Sequence, residues 1–314
     1  MDKKVRVGVA GLGKIAHIAE LPALSEMENV EIVAAFDITQ DAVDKAMSKY
    51  KIHKGFTSFD EFMKEDMDCA FVLTPKPTHH EYVIKLLNRG LDVFTEKPLA
   101  LTLKESKEMV DVAEKNGKLL MVGLNRRYAP VYQKVKEQYK DKRPDVVIAQ
   151  KNRNGTEYRA TLENAIHVID VMRWLCGEAV SVEAQSIFTN AEYEDQVTAQ
   201  IKFDSGAVGM LVANRTAGQW IEKLDVYGDY KSAFVYAPDH VTLVNPETEV
   251  TTTMTPLACG WARVEDKMGF TQEVHHFIDC VINRTEPLTS GADAYKTHEL
   301  IHEILTKAGL PGLE

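Results

Sequence analysis

The feature that most constrains this chain is a glycine turn at the end of its first apolar run. Val5 to Ala10 leads into Gly11-Leu12-Gly13-Lys14-Ile15-Ala16, a G-x-G-x-x-A pattern. Gly11 permits a tight turn, Gly13 lets the backbone approach a pyrophosphate, and Ala16 lets helix and strand pack closely. The helix that follows, expected from Lys14 to Leu24, offers free N–H groups and a positive dipole end to phosphates. Such a turn belongs at the head of a βαβ unit, and the next hundred residues supply one. Apolar runs at Val30 to Phe36, Ala70 to Leu73, Leu91 to Thr95 and Leu119 to Val122 alternate with helical text at Gln40 to Lys49, His79 to Arg89 and Leu103 to Asn116. This alternation predicts a doubly wound parallel sheet covered on both faces, a Rossmann arrangement.

Asp37 closes the second run. A carboxylate there can bond both ribose hydroxyls of an adenosine, and it repels a 2′-phosphate. No arginine follows it directly, so NAD is favoured over NADP. The competing reading is that Asp37 caps the next helix, a task that suits Asp.

The texture changes near Asn125. After one helical stretch, Pro130 to Tyr139, long segments alternate with period two. Val197, Ala199, Ile201 and Phe203 interleave with Thr198, Gln200 and Lys202. Val180, Val182 and Ala184 interleave with Ser181, Glu183 and Gln185. Period two means strands with one buried face. Turn signals at Asp204-Ser205-Gly206, Gly228-Asp229 and Asn245-Pro246-Glu247 separate them. The expectation is a second, α+β domain with an open, largely antiparallel sheet. Amphipathic helices near Glu163 to Cys176 and Thr271 to Asn283 are expected to cover its inner face. The boundary falls at Gly123 to Asn125, giving domains 1–123 and 124–314.

A formal net charge of −10 opposes binding to nucleic acid or to anionic membranes. Cys69, Cys176, Cys259 and Cys280 form no CxxC pair and read as reduced, buried thiols. No apolar stretch reaches membrane-spanning length and no leader pattern is visible, so a cytoplasmic protein is expected.

Further motifs fall at the carboxyl edge of the first sheet: Thr74-Pro75-Lys76-Pro77-Thr78-His79, Glu96-Lys97-Pro98, and the stretch from Val122 to Pro130, VGLNRRYAP. Another, Glu163-Asn164-Ala165-Ile166-His167-Val168-Ile169-Asp170 followed by Arg173-Trp174-Leu175, lies in the second domain. In this order, and with the glycine turn, they resemble the Gfo/Idh/MocA oxidoreductases over essentially the whole chain, most of all the MviM-type members. The resemblance implies a Rossmann domain plus an open-sheet domain that commonly forms the oligomer interface. Segments such as Ala207 to Ala213 carry apolar residues on both faces, more than one core face requires, so a homodimer or homotetramer through the outer face of that sheet is expected. It implies oxidation or reduction of a carbinol or carbonyl on a sugar, cyclitol or similar polyol. It maps the E-K-P lysine to Lys97 and the second-domain histidine to His167. Where the family usually has Asp and Gly, four and two residues before that histidine, this chain has Glu163 and Ala165. Look-alikes also include hydrolases that use NAD transiently with no net redox change. A non-catalytic cofactor sensor is a third class, opposed by the intact Lys97 and His167.

The residues themselves suit this chemistry. Hydride transfer needs a proton donor or acceptor at the substrate oxygen. Lys97, after the fourth strand, stands where open α/β sheets bind ligands, with Pro98 restraining its backbone and Glu96 holding it or shaping the turn. Glu163, His167, Asp170 and Trp174 are spaced four, three and four, one stripe on a single helix. His167 exchanges the proton. Glu163 or Asp170 orients it or binds a substrate hydroxyl, and Trp174 is core. A zinc site on Glu163, His167 and Asp170 is the rival reading, weakened by the single histidine; no metal is expected. The expected cofactor set is Gly11, Gly13, Lys14, Ile15, Ala16, Asp37, Thr74, Pro75, His79, Glu96, Lys97, Asn125 and Arg126. His79 is positional and His80 solvated, while His275 and His276 are ordinary helix residues. Arg126 or Arg127 contacts cofactor or a carboxylate, or forms an interdomain salt bridge. Substrate specificity is assigned to loops around Asn152 to Leu162 and Trp220 to Tyr236.

Overall fold

The computed structural model describes residues 4–155, 158–188 and 194–314. The chain divides into two units. The first runs to Leu124 and takes back Phe270–Tyr295; the second comprises Asn125–Gly269 and Lys296–Glu314.

The first unit contains, in order, β1 (Val5–Ala10), α1 (Lys14–Ile18), α2 (Glu20–Glu26), β2 (Val30–Phe36), α3 (Gln40–Tyr50), β3 (Lys54–Phe56), α4 (Phe59–Phe62), β4 (Cys69–Val72), α5 (His79–Asn88), β5 (Asp92–Glu96), α6 (Leu103–Asn116) and β6 (Leu120–Gly123). The strands form one six-stranded parallel sheet in the order β3-β2-β1-β4-β5-β6. The order reverses direction between β1 and β4, the switch point at which such sheets bind ligands. Local chemistry sets the helix limits. Thr102 Oγ1 accepts from Glu105 N at 3.1 Å to start α6, and Gly117, at φ +60°, ends it.

One helix was expected from Lys14 to Leu24; there are two. The chain leaves helical geometry at Ala19, where φ is −122° and ψ is −71°. Pro22 explains the break: it has no N–H for the Ile18 carbonyl, and its ring would clash with that carbonyl in a continuous helix.

In the second unit come α7 (Pro130–Gln138), β7 (Val146–Asn154), α8 (Ile166–Cys176), β8 (Ala179–Phe188), β9 (Glu194–Phe203), β10 (Val208–Asn214), β11 (Thr216–Gly228), β12 (Lys231–Tyr236), β13 (His240–Val244), β14 (Glu249–Thr253) and α9 (Val264–Met268). Its eight-stranded sheet runs β14-β13-β12-β11-β7-β10-β9-β8. All pairings are antiparallel except β7 with β10. Two helices follow, α10 (Phe270–Asn283) and α11 (Gly291–Lys307).

Helix α10 corrects an expectation. Its amphipathic pattern was assigned to the second sheet, yet it packs on the first. Phe277 meets Phe71 of β4 edge-on at 5.3 Å and lies 5.8 Å from Phe94 of β5. The segment after it runs beside β6, where Val122 N donates to Thr289 O and Thr289 Oγ1 donates to Val122 O. An apolar stripe specifies that a helix must be covered, but not by which sheet.

Candidate active site

At the end of β1 the glycine turn is geometrically obligatory. Gly11 has φ +94°, and a Cβ there would lie 2.6 Å from the backbone of Leu73 and Thr74. Gly13 faces open space, with no atom within 4 Å of where its Cβ would stand. That opening is the approach a pyrophosphate requires. Ala16 is fully buried, Ile15 half-buried and Lys14 exposed.

Asp37 follows β2 and does two things. Its Oδ2 accepts from Leu12 N at 2.9 Å, tying the second strand end to the glycine turn. Its Oδ1 accepts from Thr39 N and Thr39 Oγ1, shaping the entry to α3. Partial burial pushes the carboxyl upward, but the hydrogen bonds from Thr39 and Leu12 outweigh it and hold Asp37 below its ordinary range. It is ionised at neutral pH, with lone pairs left for further donors.

Beyond β4, Thr74 accepts from Thr78 Oγ1 at 2.8 Å, and Pro75 leads into the 76–78 turn. His79 is buried between two carbonyls, Nε2 at 2.8 Å from Thr74 O and Nδ1 at 2.9 Å from Pro98 O. Burial keeps its proton affinity below the usual range despite those carbonyls. The imidazole thereby joins the loop after β4 to the E-K-P turn. His80 is not simply solvated: its Nε2 lies 3.0 Å from Glu108 Oε2. His276 accepts from Leu288 N at 2.9 Å and so anchors the loop after α10.

Lys97, half-buried, sits just past β5, and its bond to Pro98 is cis. Its backbone N–H donates to Glu96 Oε2 at 3.1 Å. Glu96, expected among the cofactor residues, turns inward instead and is 8% exposed. Among the described residues, one group of three acidic side chains has ligand-type oxygens mutually within 4.8 Å: Glu20, Glu96 and Glu273.

The second unit rearranges several expectations. Asn125 is fully buried, and its Nδ2 donates to Met268 O at 3.0 Å. Arg126 is bidentate on Glu222, at 2.6 and 2.9 Å. Arg127 is bidentate on Asp170, at 2.7 and 2.6 Å, and Thr297 Oγ1 donates to the same carboxylate. Both arginines therefore form ion pairs within the unit. Asp170, with no exposed surface, anchors the 125–128 turn to α8 rather than presenting a free carboxylate to substrate.

The expected stripe is also interrupted. Residues Ala160–Ala165 form a π-helical turn before α8 begins at Ile166. The wider turn rotates Glu163 out of the α-helical series that carries His167 and Asp170. Glu163 Oε1 accepts from Arg159 N at 3.2 Å, closing its own turn. His167 is 9% exposed. Trp174 is half-buried, with Lys136 Nζ 5.0 Å over its ring.

Sequence reasoning missed Lys151 and Glu222. Lys151 is 2% exposed on β7 and Glu222 1% on β11. Lys151 Nζ donates to Glu222 Oε2, Tyr132 Oη donates to Oε1 at 2.8 Å, and Lys151 lies 4.6 Å over the Trp220 ring. Burial pushes the Glu222 carboxyl upward; Arg126 and Lys151 overcome it, His167 adds a smaller pull, and the group is held well below the usual carboxylate range. Strand parity could have found both. Val147, Ala149 and Lys151 share the inward register of β7, as do Glu222, Leu224 and Val226 on β11. The supposed specificity loop from Trp220 to Tyr236 is strand for most of its length. Of the other, Asn152 to Leu162, residues 156–157 lie outside the described residues.

A Rossmann sheet ending in an open glycine turn with an ionised acid beside it, joined in one chain to a mixed-sheet unit, places this chain in the dinucleotide-binding class. Residues 5–124 match the oxidoreductase family model with an NAD-binding Rossmann fold, and residues 133–233 match the GFO/IDH/MocA C-terminal domain. The chain belongs to the Gfo/Idh/MocA oxidoreductase family. It is 26% identical to the YceM protein of Salmonella typhimurium over 308 residues, 96% of this chain and 97% of that one. It is 25% identical to scyllo-inositol 2-dehydrogenase (NAD(+)) of Bacillus subtilis, covering 94% and 91%. The crystal structure of the dehydrogenase MviM from Clostridium difficile superposes with a TM-score of 0.87 at 27% identity, covering 97% and 99%.

Proposed function

We propose that the protein is an NAD(H)-dependent dehydrogenase or reductase acting on a carbinol or carbonyl carbon of a cyclitol, sugar or related polyol. The observation that carries this reading is the carboxyl edge of the first sheet, where the Gly11–Gly13 turn, Asp37 and Lys97 end β1, β2 and β5. Similarity to an inositol dehydrogenase along almost the whole chain supports the substrate class.

The backbone at Gly13 and Lys14 would hold the pyrophosphate, and Asp37 the adenosine ribose. An ionised Asp37 opposes a 2′-phosphate, which selects NAD over NADP. Bound nicotinamide supplies a hydride acceptor or donor. Lys97 supplies positive charge to the substrate oxygen, and His167 exchanges that oxygen's proton. The Lys151–Glu222–Arg126 cluster fixes the charge around His167.

The test is an absorbance screen at the nicotinamide band against inositols, sugars and sugar acids, with calorimetric titration of both cofactors. NAD-linked turnover of a polyol is expected. Failure to bind either dinucleotide overturns the proposal.

A further inference from the structure

Behind the E-K-P turn, three glutamates from distant parts of the chain meet inside the first unit. Glu20 comes from α2, Glu96 from the end of β5 and Glu273 from α10, with carboxylate oxygens mutually within 4.8 Å. Glu20 and Glu273 have no exposed surface. Neither oxygen of Glu20 receives an N–H or O–H from elsewhere in the described residues; the group it faces is Glu96. Glu96 in turn reaches the candidate site, its Oε2 accepting the Lys97 backbone N–H. Its other oxygen lies 3.0 Å from where a Cβ on Gly123 would stand, so a side chain at 123 would displace it.

Adjacent carboxylates removed from water cannot all stay ionised, because desolvation and mutual repulsion both favour the protonated form. A shared proton turns the repelling pair into a short, charge-assisted O–H···O⁻ bond. Burial first, and then the charge of Glu96, push the Glu20 carboxyl well above its ordinary range. Among the described residues, the charged groups on the helices and strand packed around Glu20 lie toward the surface. Lys14 of α1 and Asp41, Asp44, Lys45 and Lys49 of α3 are exposed, as are His275 and Asp279 of α10. His17, Glu31, Lys97 and His276 are half-buried, with His17 beside Tyr50 and His276 holding Leu288 N.

We propose that Glu20, Glu96 and Glu273 form a proton-sharing cluster at neutral pH, and that Glu20 and Glu273 are positioning residues that hold the Lys97 backbone through Glu96. The second half rests on the dehydrogenase reading above; the first half does not. A neutral, hydrogen-bonded Glu20 fixes the Glu96 carboxylate on the Lys97 N–H. A fully ionised trio would drive Glu96 away from it.

The experiment uses the full chain, wild type and Glu20→Gln. At pH 7 the wild type should show a carboxylic-acid carbonyl band in the infrared, shifted in D₂O and reduced in Glu20→Gln. Absence of that band in the wild type overturns the cluster. Melting against pH gives a second readout. A folded proton affinity raised above the unfolded value of about 4.5 means that the stability is fully present below that pH and is lost as pH rises through the folded value. The wild type should therefore lose melting temperature from about pH 5 upward, and Glu20→Gln, permanently neutral, should lose less. If wild-type melting instead rises with added Mg²⁺ or Ca²⁺, falls with chelator, and both effects vanish in Glu20→Gln, the trio holds a cation and the proposal is overturned. With a substrate in hand, Glu20→Gln should lower kcat by roughly tenfold, leave NAD affinity within twofold and shift the pH profile of turnover, as expected for a displaced Lys97. Unchanged kcat and pH profile refute the positioning role. Should Glu20→Gln fail to fold, Glu273→Gln and the wild-type infrared band decide the same question. An acid band in a protein that binds neither dinucleotide leaves the cluster standing and refutes the dehydrogenase reading alone.

Discussion

Glu222 offers the sharpest test of how the second unit is built. Replacing it with Gln keeps the shape and removes one charge. Arg126 and Lys151 then face each other inside the unit, at 5% and 2% side-chain exposure, with no carboxylate between them. Two donors on one carboxylate stand about 5 Å apart, and at an effective dielectric of about 20 their repulsion is roughly 3 kcal/mol. Removing one member of a buried charge cluster generally costs about 3–5 kcal/mol, and the two figures agree. At about 2–4 °C per kcal/mol, the melting transition of the unit should fall by roughly 6–20 °C. Lys151→Met should cost less, about 1–3 kcal/mol, because Glu222 keeps its bidentate Arg126 and the Tyr132 hydroxyl. The sign with pH follows from a depressed carboxyl. Its stabilisation is present above the unfolded value of about 4.5 and is lost as pH falls through the folded value, so the Glu222→Gln deficit is full at pH 7 and shrinks in acid. Urea unfolding followed by tryptophan fluorescence and far-ultraviolet dichroism at pH 7 measures the deficit; a loss under about 1 kcal/mol, or Lys151→Met costing more than Glu222→Gln, refutes the reasoning.

Three further outcomes are expected. NAD(H) should bind more tightly than NADP(H), and Asp37→Ser should narrow the gap; equal affinities in the wild type, measured by calorimetry, would remove Asp37 as the discriminator. Lys97→Met should lower turnover by roughly two to four orders of magnitude while cofactor affinity holds, and His167→Ala should do the same and flatten the acidic limb of the pH–rate profile. A Lys97→Met enzyme with full turnover would end that assignment. The protein should be a homodimer or homotetramer through the outer face of the second sheet, where Met210 and Ile187 are 50% and 60% exposed and a groove of about 380 Å³ is lined by Ile148, Ala184, Met210 and Val212; a monomeric mass by light scattering at micromolar concentration contradicts this.

How much of this was legible depends on whether a feature is local. The glycine turn, Asp37 and the E-K-P motif each declare themselves within a few residues, because φ sign, strand ends and proline restraint are local properties. The parallel sheet was readable because its strands are near-continuous apolar runs. The three-residue β3 and four-residue α4 carry too few residues to show a period. The π turn at Ala160–Ala165 has no periodic signature at all, and it undid the stripe drawn through Glu163. Buried charge was the larger omission. Lys151 and Glu222 were visible by strand parity, since a lysine and a glutamate on two inward registers ask for each other. Glu20 and Glu273 could not be matched in that way. They lie about 250 residues apart on separate helices, and each reads alone as an ordinary amphipathic-helix acid. What joins them is the return of α10 to the first sheet, and once Phe277 is seated on Phe71 and Phe94, Glu273 one turn earlier is carried inward as well. The buried acids beneath Lys97 are thus a consequence of where the chain comes back to, and a single sequence holds no local sign of that.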